Sequence, residues 1–323
     1  MKVGIIGAGS IAGTMAGTIR EMDCAQNYAV AARDYGRAAE FAQTYGFEKA
    51  YGSYEELVED AGVELVYIAT PHSHHYEHIK LCLNHGKHVL CEKSFTVNES
   101  QAREVLALAR EKKLLLTEAI WTRYMPMRKT LDSVLSSGII GRPYMLTANL
   151  GYIISGKERI MRPELAGGAL LDVGIYPLNF ASMVFGDEVD SITGTAVMTE
   201  TGVDAQNSIT ITYKDGKMAA LCSSAMGLSD RRGIIYGDNG FIEVENINNC
   251  EGIRVYDRSR NMIASYDTPK QISGYEYEGE ACLRAIEEGA LECPEMPHEE
   301  TLRMMGWMDE LRRQWGLVYP MER

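Results

Sequence analysis

The sequence predicts an α/β protein: a doubly wound parallel sheet in the N-terminal part, followed by an α+β region built on a large open antiparallel sheet. Three observations carry this prediction. A strand, a glycine-rich turn and a helical pattern occupy the first residues. Short apolar runs then alternate with amphipathic helical stretches up to about residue 120. Beyond residue 142 the pattern changes to period-two alternation broken by Asp-Gly and Asn-Gly turns. At 323 residues the chain can form two domains with separate cores, expected at 1–120 and 121–323.

The first strand is the apolar run Lys2 to Ile6, and Gly7-Ala8-Gly9-Ser10-Ile11-Ala12 turns out of it into a helix to about Met22. This is the G-x-G-x-x-A form of the dinucleotide-binding entrance. Gly7 permits the tight turn, Gly9 lets the backbone approach a pyrophosphate, and Ala12 lets the helix lie close on the strand. The helix N-terminus, at Ser10 and Ile11, then offers N–H groups and a positive dipole end to the phosphates. Tyr28 to Ala32 reads as the second strand, ending in Arg33-Asp34. An acidic residue at this end takes the ribose hydroxyls in NAD-binding versions. Here Arg33 and Arg37, spaced i,i+4, suit a 2′-phosphate, so NADP(H) is favoured over NAD(H). The alternative leaves both arginines in solvent and Asp34 on the ribose.

The alternation continues with a helix closing at Gly46, a Ser53-x-x-Glu56 capping box, and a strand from Glu64 to Ala69. A helix from about Ser73 to Gly86 and a strand from Lys87 to Cys91 follow. Asn98-x-x-Gln101 caps a helix with Ala102, Val105, Leu106 and Ala109 on one stripe, and Leu114 to Thr117 is the sixth strand. Ligands of such sheets bind at the carboxyl ends of the strands. Two ends stand out: Thr70-Pro71-His72 and Glu92-Lys93-Ser94. Four of the seven histidines lie between 72 and 78. His74 and His78 have an i,i+4 spacing that can chelate zinc, but there is no H-E-x-x-H and no cysteine at finger spacing, so no metal is expected. The histidines are expected to cap a helix and line a polar cleft.

In the second half, Pro126 opens a helix that Gly138 and Gly141 end. Tyr144 to Ile154 is a long strand, and Ser208 to Tyr213 alternates as a sheet with one buried face does. Lys214-Asp215-Gly216-Lys217 and Asp238-Asn239-Gly240-Phe241 are hairpin turns. Hairpins of this kind build one antiparallel sheet with few helices to cover it, and its open face predicts a homodimer. Closing helices are expected over 275–286 and 299–315. Asp172 and Tyr176 are spaced i,i+4 behind Gly167-Gly168, two glycines that suit a backbone passing near a ligand. Pro177 limits regular helix there.

Composition sets the exclusions. Hydrophobic content of 46% and charged content of 24% are those of a globular protein. A net charge of −13 argues against nucleic acid or an anionic membrane as partner. No signal-peptide core and no stretch long enough to span a bilayer are expected. Seven scattered cysteines without C-x-x-C spacing read as reduced thiols in a cytoplasmic protein.

Taken together, Gly7-x-Gly9-x-x-Ala12, Ala31-Ala32-Arg33-Asp34, Ala50 to Leu57, Cys91-Glu92-Lys93, Glu118 to Arg123 and Gly167 to Tyr176 resemble the Gfo/Idh/MocA oxidoreductase family over almost the whole chain. The likeness is to its dimeric dihydrodiol and NADP-dependent xylose dehydrogenase branch. The resemblance implies a Rossmann domain followed by a large open antiparallel sheet, with the active site between them. It implies that Lys93, from the family's E-K-P motif, lies near the nicotinamide, that Tyr176 is the acid/base group, and that Asp172 assists it. Arg33 and Arg37 match the 2′-phosphate positions. Thr70, Pro71, His75, Glu92, Trp121 and Arg123 are expected beside the cofactor, and Trp121 and Tyr152 beside a sugar, polyol or trans-dihydrodiol substrate. One departure is Ser94 in place of the family's proline, which leaves the isomer of the Lys93–Ser94 peptide open. A non-catalytic NADP-binding regulator is the alternative function, and retention of both Lys93 and Tyr176 argues against it.

Overall fold

Six parallel strands form the first sheet of the structure, a computed structural model that describes residues 1–323. They are β1 (Lys2–Ile6), β2 (Gln26–Ala31), β3 (Lys49–Tyr51), β4 (Leu65–Ile68), β5 (His88–Glu92) and β6 (Leu116–Ala119). Their spatial order is β3-β2-β1-β4-β5-β6, the doubly wound order that reverses direction beside β1. The intervening helices are α1 (Ser10–Ile19), α2 (Tyr35–Tyr45), α3 (Tyr54–Glu59), α4 (His72–Asn84) and α5 (Glu99–Lys112). Burial on both faces explains the continuous apolar runs: every residue of β4 is buried, as is every residue of β1 after Val3.

Helix ends follow the local chemistry. Ser53 and Glu56 form both arms of a capping box, and the Asn98 side chain accepts from Gln101 N at 2.9 Å. Gly46 takes the left-handed conformation that closes α2. On α5 the buried positions are Ala102, Val105, Leu106 and Ala109, the predicted stripe. The first helix ends at Ile19, short of the expected Met22, because residues 20–22 form a tighter turn.

The second half contains α6 (Pro126–Ser136), β7 (Pro143–Gly151), α7 (Glu158–Met161), α8 (Ile175–Phe185), β8 (Val189–Met198) and β9 (Asp204–Tyr213). It continues with β10 (Met218–Ser224), β11 (Gly233–Gly237), β12 (Gly240–Glu245), β13 (Gly252–Asp257) and β14 (Met262–Asp267). These strands form one eight-stranded sheet in the order β14-β13-β12-β11-β7-β10-β9-β8. Its pairs are antiparallel except β7 with β10, which is parallel. The sheet is therefore mixed, because β7 enters it from the first half of the unit with no hairpin partner. Both predicted Gly turns close hairpins, between β9 and β10 and between β11 and β12. One face, with Leu146, Ile209, Ile211, Leu221, Ile235 and Val255, is buried.

Two further helices, α9 (Glu276–Glu287) and α10 (His298–Trp315), close the chain. The chain divides into two compact units, Met1–Tyr124 with Gln271–Met305, and Met125–Lys270 with Gly306–Arg323. The sequence division at 120/121 left residues 271–305 in the second domain, whereas specific bonds tie them to the first unit. Leu116 N donates to Leu291 O at 3.2 Å, and Trp121 stacks on Tyr275 with ring centroids 4.3 Å apart. The stretch Pro163–Phe185 corrects the expectation about spanning segments: it is long and apolar enough to cross a membrane. It is also 89% buried within the protein, as a core helical segment is.

Candidate active site

In the first unit every candidate lies where a strand ends. After β1, Gly7 has φ +105°, and a Cβ there would sit 2.8 Å from Ala69 O, so its constraint is internal. Gly9 differs: a Cβ there would meet nothing within 4 Å. No neighbouring protein atom requires glycine at this position, which fits a backbone left clear for a pyrophosphate. The N-terminus of α1 carries no side-chain cap, so its first N–H groups are available to an anion. Ala12 is fully buried, as close helix–strand packing requires. After β2, Arg33 and Arg37 are exposed, and Arg37 Nη2 donates to Ala8 O at 2.8 Å, which brings its guanidinium to the glycine turn. Asp34 is the cap of α2, its Oδ1 accepting from Arg37 N at 2.7 Å. These residues fit a nicotinamide dinucleotide.

The loop after β5 is pinned at three places. The Tyr67 hydroxyl donates to Glu92 Oε1. His75 has Nδ1 2.8 Å from Ser94 O and Nε2 2.8 Å from Thr70 O, so one imidazole links the loops that follow β4 and β5. Phe95 N donates to Glu118 Oε1 at 3.1 Å, which adds β6 to the same brace. From Glu92 to Val97 every residue is buried except Lys93. The Lys93–Ser94 peptide is cis. Lys93 is thus presented from a backbone held on both sides.

His75 is itself fully buried, so its side chain braces the site and has no surface for a cofactor. Burial pulls its pKa down to about 4, against the two carbonyls that favour the cation. His78 likewise falls to about 4 through burial, and its Nδ1 lies 3.0 Å from Thr70 Oγ1. No group of three or more His, Cys, Asp or Glu side chains is placed to hold a metal ion. Arg123 is buried, with Nη2 2.5 Å from Glu300 Oε2, and burial pulls its pKa down to about 10. Its charge serves an internal ion pair. Glu118, fully buried, is pushed up to about 7. Trp121 is buried in its stack with Tyr275.

In the second unit, Leu170–Gly174 forms a π-helical turn that runs directly into α8, so Pro177 falls in the first turn of α8 and does not end the helix. Asp172 and Tyr176 are both buried on this segment. Arg159 Nη1 lies 2.6 Å from Asp172 Oδ1, an ion pair that supplies the cation a buried carboxylate needs. The preceding glycines are explained by the protein itself. A Cβ on Gly167 would sit 2.4 Å from Ile160 O, and one on Gly168, at φ +113°, 2.2 Å from Asp204 Oδ1. Tyr152 is half-buried, and its hydroxyl accepts from Asn248 Nδ2 at 2.9 Å.

Residues 1–120 match the family model described as an oxidoreductase family with an NAD-binding Rossmann fold, and residues 129–243 match the GFO/IDH/MocA C-terminal domain. The chain is 34% identical over 327 residues to trans-1,2-dihydrobenzene-1,2-diol dehydrogenase of Xenopus tropicalis, covering 99% of each chain. It is 34% identical over 332 residues to the Homo sapiens protein of the same name, covering 100% of this chain and 99% of the relative. The chain belongs to the Gfo/Idh/MocA oxidoreductase family. It is an oxidoreductase whose first 120 residues form an NAD-binding Rossmann domain. The same fold is seen in KijD10, a 3-ketoreductase from Actinomadura kijaniata in complex with NADP and TDP-benzene. That structure gives a TM-score of 0.90 at 24% identity and covers 97% of each chain. An aldose-aldose oxidoreductase from Caulobacter crescentus superposes at a TM-score of 0.88 with 18% identity, again over 97% of each chain.

Sequence reasoning missed Arg159, Asp204, Tyr67 and the bracing role of His75 in this Gfo/Idh/MocA protein. Arg159 left no signal, because it lies on a one-turn helix, α7, that carries no motif. Asn207, the partner of Asp204, did leave one: it falls on the buried parity of β9, where Ile209 and Ile211 also lie.

Proposed function

We propose that this protein is an NADP(H)-preferring dehydrogenase/reductase acting on a CH–OH carbon of a sugar, polyol or trans-dihydrodiol. Tyr176 is its acid/base group and Lys93 the electrostatic partner. The observation that carries the reading is the loop after β5, pinned at Glu92, Ser94 and Phe95 so that only Lys93 of residues 92–97 escapes burial. Preorganised charge of this kind is what stabilises a developing oxyanion. The full-length relatives named trans-1,2-dihydrobenzene-1,2-diol dehydrogenase support the substrate class.

When bound, the nicotinamide dinucleotide supplies or accepts the hydride. The chain's own residues handle the proton on the substrate oxygen. A phenol has a pKa of about 10, so Tyr176 needs a cation to act as a base, and Lys93 is the cation proposed for that role. Asp172, held by Arg159, orients the segment that carries Tyr176. Gly7, Gly9, Ser10, Ile11 and Ala12 hold the pyrophosphate, and Thr70 and Pro71 line the cofactor. Arg33 and Arg37 take the 2′-phosphate. The engagement of Asp34 as a helix cap supports NADP over NAD. Trp121 and Tyr152 offer flat faces suited to a sugar ring or a dihydrodiol.

The protein is proposed to be a cytoplasmic homodimer. All seven cysteines are free, as reduced thiols are. On the open face of the eight-stranded sheet, directly paired residues form an apolar row across five strands: Met218, Met145, Tyr236, Phe241 and Tyr256. Phe241 and Tyr256 stack with centroids 4.6 Å apart. Such a row favours a partner face over solvent.

Tyr176→Phe tests the chemistry. Turnover is expected to fall about a hundredfold or more while NADPH affinity, titrated by fluorescence, stays that of wild type. Near-wild-type turnover would refute the assignment.

A further inference from the structure

The segment that carries Asp172 and Tyr176 begins with a backbone donor no helix can satisfy internally, the N–H of Leu170. No side chain of that segment caps it. Asp204, at the start of β9 and fully buried, reaches across: its Oδ2 accepts from Leu170 N at 2.8 Å and from Asn207 Nδ2 at 2.9 Å. Asn207 Oδ1 in turn accepts from Ser223 Oγ at 2.9 Å, so the clamp is anchored in both β9 and β10. Ser223 Oγ also lies where a Cβ on Gly174 would be 3.0 Å away, at the far end of the same turn. Gly168 completes the fit, since any side chain there would displace the Asp204 carboxylate. Asp204 Oδ1 has no hydrogen-bond partner. A buried carboxylate oxygen left without one is costly, and the structure retains it at this place.

We propose that Asp204 is a positioning residue: its buried carboxylate clamps the backbone turn that presents Asp172 and Tyr176, and sets where the Tyr176 hydroxyl stands. The proposal rests on the acid/base reading of Tyr176. Burial pushes the Asp204 carboxyl up to about 6, with its hydrogen bonds and Arg312 opposing, and its Oδ2 can accept both bonds in either protonation state. A proton-transfer group works only within tenths of an ångström of its correct place, so a loosened turn costs turnover before it costs cofactor binding.

The test is a double-mutant cycle on the full chain with Asp204→Ala and Tyr176→Phe, reading kcat, substrate KM and NADPH affinity. Asp204→Ala alone is expected to lower kcat between about tenfold and a hundredfold with NADPH affinity unchanged. In the Tyr176→Phe background the same change is expected to cost almost nothing more, because the group it positions is gone. Asp204→Asn is expected to recover most of the turnover, since its amide oxygen can accept both bonds. If Asp204→Ala does not fold, Asn207→Ala loosens the same clamp and is read in the same cycle. A loss that multiplies equally in both backgrounds would make Asp204 merely structural and overturn the proposal. Wild-type turnover in Asp204→Ala would overturn it too, while leaving the Tyr176 reading intact if Tyr176→Phe is still impaired. Wild-type turnover in Tyr176→Phe would instead remove that reading and this proposal with it.

Discussion

Cofactor choice is decided at single residues. Asp34 spends its carboxylate on Arg37 N at the start of α2, whereas the Arg37 guanidinium reaches Ala8 O of the glycine turn. Gly9 has no protein neighbour that would exclude a side chain, which fits the proposed approach of a pyrophosphate. Arg37→Ala is therefore expected to raise KM for NADP+ by about tenfold or more, the worth of one charge-assisted contact, and to change KM for NAD+ far less. Equal effects on both cofactors would mean that Arg37 serves only the turn. The placement of these residues after β1 and β2 was legible in the sequence because a glycine turn and an arginine pair at a strand end are local signals. Arg159 was not legible, because its meaning comes only from the Asp172 carboxylate brought against it by folding.

Among elements, the loop after β5 owes its shape to the elements on either side. His75, on α4, has its two ring nitrogens 2.8 Å from Ser94 O and Thr70 O and is neutral because burial outweighs both carbonyls, so its single N–H donates to one of them and the other nitrogen only lies against its neighbour. The sign of its pH effect follows. Between the ordinary histidine pKa of 6.5 and the folded value of about 4, the unfolded chain takes up a proton that the folded chain refuses. Stability is thus lost as pH falls through that window, by on the order of 3 kcal/mol at one pKa unit per ~1.4 kcal/mol. In His75→Asn this component is absent. Denaturant melts of both proteins at pH 7 and pH 4.5 should show the stability gap between them shrinking at the lower pH. A gap independent of pH would contradict a neutral, buried His75. The sequence placed the strands and helices here, since capping boxes and apolar stripes are local signals. It did not show His75 between the two loops, because a brace of that kind is a tertiary fact. Gly167 and Gly168 have a tertiary reason too: a Cβ on either would meet Ile160 O or Asp204 Oδ1.

The whole molecule carries a net charge of −13, so an anionic cofactor must be held against the average field by local groups, for which the α1 N-terminus and the two arginines are proposed. The open sheet face makes the largest claim at this scale. Wild type is expected to scatter light as twice the 35.9 kDa chain mass, and Phe241→Asp, which puts a charge in the middle of the apolar row, as a single chain. A wild-type monomer would contradict the dimer. Two domains with different sheet types were readable from the switch in hydrophobic period. The return of residues 271–305 to the first unit was not, because helical periodicity says nothing about which sheet a helix packs on.

The measurement that bears most directly on the central claim is formation of reduced cofactor, followed by absorbance, by wild type and Tyr176→Phe side by side. The assay uses NADP+ or NAD+ with trans-dihydrodiols, aldoses and inositols. Steady turnover by wild type on one of these classes, faster with NADP+ and lost about a hundredfold or more in Tyr176→Phe, is the predicted result. NADPH binding without turnover on any class would contradict it and favour a cofactor-sensing regulator.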